Sequence, residues 1–255
     1  MQKISENIRD NFTFKDIFND RTPFYFIATI SLFITIVLSL IGVFRATKNT
    51  GDFFPEPGTY EGKPVHDKSF VDRLTHYFSQ FTHHTIFLLF FYFLSSLFNY
   101  NSTTYFKIIA PIALTISILY FYHLYPRQTR GVHELSYSNF YSHFMIIFLV
   151  FAEFYYIDGF KLSETTYCLV FLVTAVLVTI LNYLMRGVWS YNLVKLDRVK
   201  GWSMICQTIL LMYGLSFMFY FIKPIHEDRK LVTYAPFYSS LVNIAYVLKF
   251  ISSTK

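Results

Sequence analysis

Seven apolar stretches divide the chain: Phe24–Phe44, Phe78–Phe98, Ile108–Tyr125, Phe140–Ile157, Thr165–Met185, Ser203–Ile222 and Ala235–Ile251. Most approach the roughly 20 residues that a helix needs to cross a hydrocarbon core of about 30 Å. Within them apolar residues run on rather than alternate, which predicts helices and not the strands of a barrel. The expected fold is all-α, a polytopic transmembrane helical bundle with six core helices. The last stretch is the weaker candidate for a seventh span, because Pro236, Ser239, Ser240, Asn243 and Lys249 interrupt it. The pattern predicts one transmembrane domain over residues 24–251, with a polar loop at 45–77 and a tail at 252–255. Residues 1–23 read as an amphipathic segment on the membrane surface, since Ile4, Ile8 and Phe12 recur every four residues between charges. They lack the basic start and apolar core of a signal peptide, so the first span is expected to be retained.

Composition agrees with this reading. Of the 255 residues 54% are hydrophobic and 15% charged, and mean hydropathy is +0.38; a soluble domain carries about 25% charged residues. The net charge of +6 suits anionic lipid headgroups. Its basic residues are scattered through the loops rather than gathered in a patch, which excludes a nucleic-acid surface. They divide almost evenly between the two sets of loops and leave orientation open. Cys168 and Cys206 both fall inside predicted spans, so a disulfide framework is not expected.

The alternating direction of the helices changes the picture most. Helices two, four and six leave the face carrying the first, third and fifth loops, and helices three and five arrive there. Gln80, Thr82, His83, His84, His123, His143, Asn182 and Gln207 then gather at one membrane face. Thr82 and His143 each lie about 6 Å into their helices.

Two chemistries suit this set. Thr82 could act as a nucleophile with His143 taking its proton, because imidazole titrates near neutrality. Asn139, one turn earlier, could orient the ring. Alternatively, several of His76, His83, His84, His123 and His143 could hold a metal ion, although their spacing matches no metal motif and no metal is assigned. Threonine in a membrane helix also commonly bonds its own backbone, and histidine near a helix end commonly reaches water. Buried polar groups in a bilayer are nevertheless costly, and a set of them points to function.

The segment Tyr77-Phe78-Ser79-Gln80-Phe81-Thr82-His83-His84-Thr85-Ile86 resembles the F-T-x-x-S-N segment of a bacterial six-helix membrane family of unknown function, well represented in mollicutes. That family is similar to the androgen-induced and androgen-dependent TFPI-regulating membrane threonine hydrolases, which act on fatty acid esters of hydroxy fatty acids. The resemblance implies Thr82 as catalytic nucleophile and His143, in His143-Phe144-Met145-Ile146-Ile147, as its base. It extends to the late loop from Arg186-Gly187 to Gly201-Trp202.

The leading expectation is therefore a multi-pass cell-membrane protein that hydrolyses a lipid or acyl ester. Gln80, His83, His84, His123, Asn139, Asn182 and Gln207 would give polar support, and no cofactor is expected. Membrane lipid and a lipid-like substrate are the expected partners. The alternative is a non-enzymatic lipid or small-molecule transporter, or a structural subunit of a membrane protein complex. The chain carries no ATP-binding motif that would drive transport.

Overall fold

The structure is a computed structural model describing residues 21–45, 69–100, 102–124, 137–157, 160–187, 189–191 and 194–221. The surface segment before residue 21, the turn at Asp158 and Gly159, and the seventh apolar stretch lie outside the described residues. Within them the chain is all-helical. The order is α1 (Thr22–Arg45), α2 (Phe70–Ser79), α3 (Phe81–Leu97), α4 (Thr103–Leu119), α5 (Tyr137–Phe154), α6 (Thr165–Arg186) and α7 (Val199–Phe221). A π turn, Tyr120–Leu124, extends α4, and a 3₁₀ turn, Leu162–Glu164, precedes α6.

Each of the first six apolar stretches forms a helix. Thr22–Ile41, Thr103–His123, Thr165–Arg186 and Val199–Phe221 are long and apolar enough to cross a membrane. The helices α3 and α5 are shorter; the 17 residues of α3 span about 25 Å. The surfaces fit an integral membrane protein. Tyr167, Val170, Val173, Leu177, Leu181 and Leu184 stand exposed along α6, an apolar face too long for a water-soluble exterior.

The central helix is α4, which packs against α3, α5, α6 and α7. It is largely apolar and largely buried, as a central helix is, with Lys107, Thr115 and Ser117 also among its buried residues. Ala110, Ala113 and Ser117 are fully buried on it; small residues let neighbouring backbones approach closely. The bundle continues outward through α1, which packs on α3 and α5. The Cys168 thiol donates to the Ile108 carbonyl at 3.3 Å and ties α6 to α4.

One part of the polar loop is more regular than the apolar pattern predicts. The second stretch does not begin as a continuous helix at Phe78. Gln80 is extended, with φ −85° and ψ 127°, and separates α2 from α3. The cap is local: the Ser69 hydroxyl accepts the Asp72 N–H at 3.1 Å and donates to the Asp72 carboxylate at 2.8 Å. This helix buries His76 and Ser79 while turning Phe70, Val71 and Phe78 outward. Such an arrangement suits a helix lying at a lipid interface.

The other departure is Glu153. Its place near Asp158 predicts an interfacial residue, yet it is only 1% exposed. Its Oε1 accepts hydrogen bonds from Tyr25 of α1 at 3.1 Å and Tyr92 of α3 at 2.5 Å. The Arg21 guanidinium lies 3.8 Å away and over the Tyr25 and Tyr156 rings. Buried polar groups therefore occupy both ends of the bundle, not one. Replacing Glu153 with Ala removes the acceptor of two buried tyrosine hydroxyls and the carboxylate that faces Arg21, and should cost about 3–5 kcal/mol. Glu153→Gln, which keeps an acceptor oxygen, should cost less than half as much. Unfolding titrations of the purified protein in mixed micelles would show the ranking; equal stability of both variants and the native chain would refute it.

Candidate functional site

The break at Gln80 organises the end of the bundle where the polar residues gather. Ending α2 exposes its last carbonyls, and the histidines that follow take them up. His83 Nδ1 bonds the Tyr77 carbonyl at 2.8 Å, and its ring stacks on Tyr77 at 3.7 Å. His84 Nε2 bonds the Phe78 carbonyl at 2.5 Å. Gln80 Nε2 pairs with His76 Nε2 at 3.2 Å. Gln80, His83 and His84 thus hold the kink together.

Three further sequence candidates bridge elsewhere. Asn182 accepts Arg186 Nη1 at 2.9 Å, and Arg186 Nη2 reaches the Asp72 carbonyl at 2.7 Å and its carboxylate at 3.3 Å. This ion pair fastens α2 to the end of α6. His123 pairs with Gln207 at 3.2 Å on the exposed side of the π turn. The backbone of Asn139 lies in α5, while its side chain is outside the described atoms. Among the described residues no three His, Cys, Asp or Glu side chains are arranged to hold a metal ion.

Thr82 and His143 come together differently. Both line a half-open cavity of about 110 Å³. Its walls are apolar, built from Phe81, Ile116, Leu119, Leu172, Val176 and Ile205, with Tyr191, Thr179 and Thr208 as further polar members. His143 is 3% exposed. Its ring stacks on Tyr120 of the π turn at 3.8 Å with an interplanar angle of 8°, and its buried Nδ1 has no hydrogen-bond partner.

The hydroxyl of Thr82 bonds outside its own helix, unlike several other threonine hydroxyls in the bundle. Thr35, Thr85, Thr174 and Thr208 each bond the carbonyl four residues earlier in their own helix. Thr82 sits one residue inside α3, where the carbonyl four residues back belongs to α2 across the kink. Its Oγ1 instead meets the Tyr191 hydroxyl at 3.3 Å, and the same hydroxyl accepts the Thr82 N–H at 3.2 Å. No hydrogen bond joins Thr82 to His143 in this state.

Tyr191 has no signal in the periodicity of the chain, because it lies in a loop. That loop is nevertheless closely fitted. Trp189 stacks on Tyr183 at 4.1 Å, and the Trp202 indole donates to the Leu196 carbonyl at 2.9 Å. Gly187 turns the chain out of α6 at φ +70°, donating to Tyr183 at 2.7 Å. At Gly201 a Cβ would collide with the Lys195 carbonyl.

Two outcomes follow. Gly201→Ala should push the loop carrying Tyr191 and Val194 off the cavity mouth; faster protease cleavage between residues 189 and 198 would report it, and unchanged cleavage would speak against a fitted loop. His76, outside the spans, is held down to about 4 by burial and then by the Arg186 guanidinium. Unfolded histidine binds its proton near pH 6.5. The unfolded chain therefore takes up the proton first as pH falls. Stability present above pH 6.5 should be lost between 6.5 and 4, by on the order of 3 kcal/mol. Replacing His76 with Gln should flatten that slope in pH-dependent unfolding; an unaltered slope would assign it to other groups.

No family model, no curated protein and no solved structure matches this chain.

Proposed function

We propose that this chain is a multi-pass cell-membrane protein that hydrolyses a lipid-like ester in the cavity lined by α3, α4, α5, α6 and α7. Thr82 is the nucleophile and His143 its base. The observation that carries this reading is their presence on the wall of one largely apolar cavity. The volume bears on the substrate. A dry cavity of about 150 Å³ admits a molecule the size of benzene. A space of about 110 Å³ takes an ester group and a few methylenes, so the remainder of an acyl chain must lie along the bundle surface or in lipid.

The chemistry follows from the groups present. His143 takes the Thr82 hydroxyl proton as Oγ1 attacks the ester carbonyl carbon. The tetrahedral intermediate collapses, the alcohol leaves with the proton from His143, and an acyl-threonine remains. Water, activated by the same imidazole, releases the fatty acid and restores Thr82. Low dielectric strengthens each of these charge–dipole contacts.

A second reading has its own support. Tyr191 already occupies the Thr82 hydroxyl, as in a site that binds a lipid without cleaving it, in a carrier or in a subunit of a membrane complex. Hydrolysis of a long-chain p-nitrophenyl ester by the purified protein separates the two. Thr82→Ala and His143→Ala should each lower turnover at least 100-fold. Equal rates in all three proteins, or none in any, would reject the hydrolase. Ester retention without turnover, abolished by filling the cavity with Thr179→Phe, would establish the binding role.

A further inference from the structure

We propose that the Thr82 backbone N–H is a carbonyl-binding point, occupied by the Tyr191 hydroxyl until an ester carbonyl oxygen displaces it. The inference deepens the reading of the cavity as an ester site and rests on it. The first N–H groups of any helix lack intrahelical acceptors. At the start of α3 the His83 and His84 N–H groups turn back to the Gln80 carbonyl, at 3.2 and 3.4 Å. The Thr82 N–H is satisfied from outside the helix, by the Tyr191 phenolic oxygen at 3.2 Å. That oxygen stands where a ligand oxygen would accept.

The cavity itself points to a ligand at this place. His143 lines it, is 3% exposed, and keeps an unpartnered Nδ1. The two bonds from Tyr191 to Thr82 are long, 3.2 and 3.3 Å, so exchanging them for a carbonyl costs little. The helix N-terminus favours partial negative charge on the incoming oxygen, and more so as an oxyanion develops. The expected ligands are therefore esters and ketones, which accept, rather than amines or other donors. Tyr191 sets the threshold for entry by competing for the same N–H.

The test reads binding, not turnover. A long-chain fatty acid methyl ester labelled with ¹³C at the carbonyl is added to the protein in nanodiscs, and the infrared carbonyl stretch is recorded. A band shifted to lower frequency is expected in the native chain. It should persist in Thr82→Ala, which keeps the N–H, and grow several-fold in occupancy in Tyr191→Phe. It should vanish in Thr82→Pro, a first-turn position where proline is tolerated and the N–H is lost. A shifted band with no hydrolysis supports the carbonyl site and rejects the nucleophile. A band lost in Thr82→Ala or retained in Thr82→Pro overturns the proposal. So does the absence of a shifted band in both the native chain and Tyr191→Phe, and that pair decides if Thr82→Pro does not fold.

Discussion

A buried carboxylate fastens one end of this bundle. Glu153 receives Tyr25 and Tyr92 from two other helices and faces Arg21 just ahead of α1. Apolar packing alone specifies helix positions weakly in lipid, where the solvent is as apolar as the side chains. A carboxylate has few tolerable positions, and each demands donors. Three helices converge on Glu153, whose Oε1 accepts a tyrosine hydroxyl from each of the other two. With α1, α3 and α5 fixed there, the opposite end can carry a cavity and a broken helix without losing its register.

That opposite end is organised by the break at Gln80. In a membrane, a helix that stops must find partners for its terminal backbone groups. Here the carbonyls of Tyr77 and Phe78 are taken by His83 and His84, and the Thr82 N–H by Tyr191. His83 and His84, expected as polar support, are thus held by backbone carbonyls, while Thr82 and His143 stand at the cavity wall. The Arg186–Asp72 pair then keeps α2 against α6, so the kink cannot straighten without breaking a partly buried ion pair.

The helices were legible in the sequence because hydrophobic continuity is a local property. Phe24 to Phe44 announces α1 in any context. The parity of the spans was legible too, and the bridges from His123 to Gln207 and from Asn182 through Arg186 to Asp72 join residues that parity brings to one end. Glu153 was not legible. Its burial depends on Arg21 and Tyr25, which lie 132 and 128 positions earlier, and nothing near Glu153 encodes them. Tyr191 was hidden for the same reason: it acts from a loop, with no period to mark it. The helix α2 was obscured because it turns Phe70, Val71 and Phe78 outward while burying His76 and Ser79, not the pattern expected of a helix in a polar loop.

Position, more than residue type, separates Thr82 from the other threonines. Several threonines inside helices settle on the carbonyl four residues back, as Thr35, Thr85 and Thr174 do. A threonine in the first turn, after a break, has no such partner in its own helix and must turn outward. The kink therefore has two consequences from one backbone change: a hydroxyl and an N–H that both bond outside their own helix. Tyr191 takes up both, and His143, whose buried Nδ1 has no hydrogen-bond partner, lines the same cavity. Any ligand able to displace the phenol must bring an oxygen acceptor attached to an apolar body, and a fatty acyl ester has that composition.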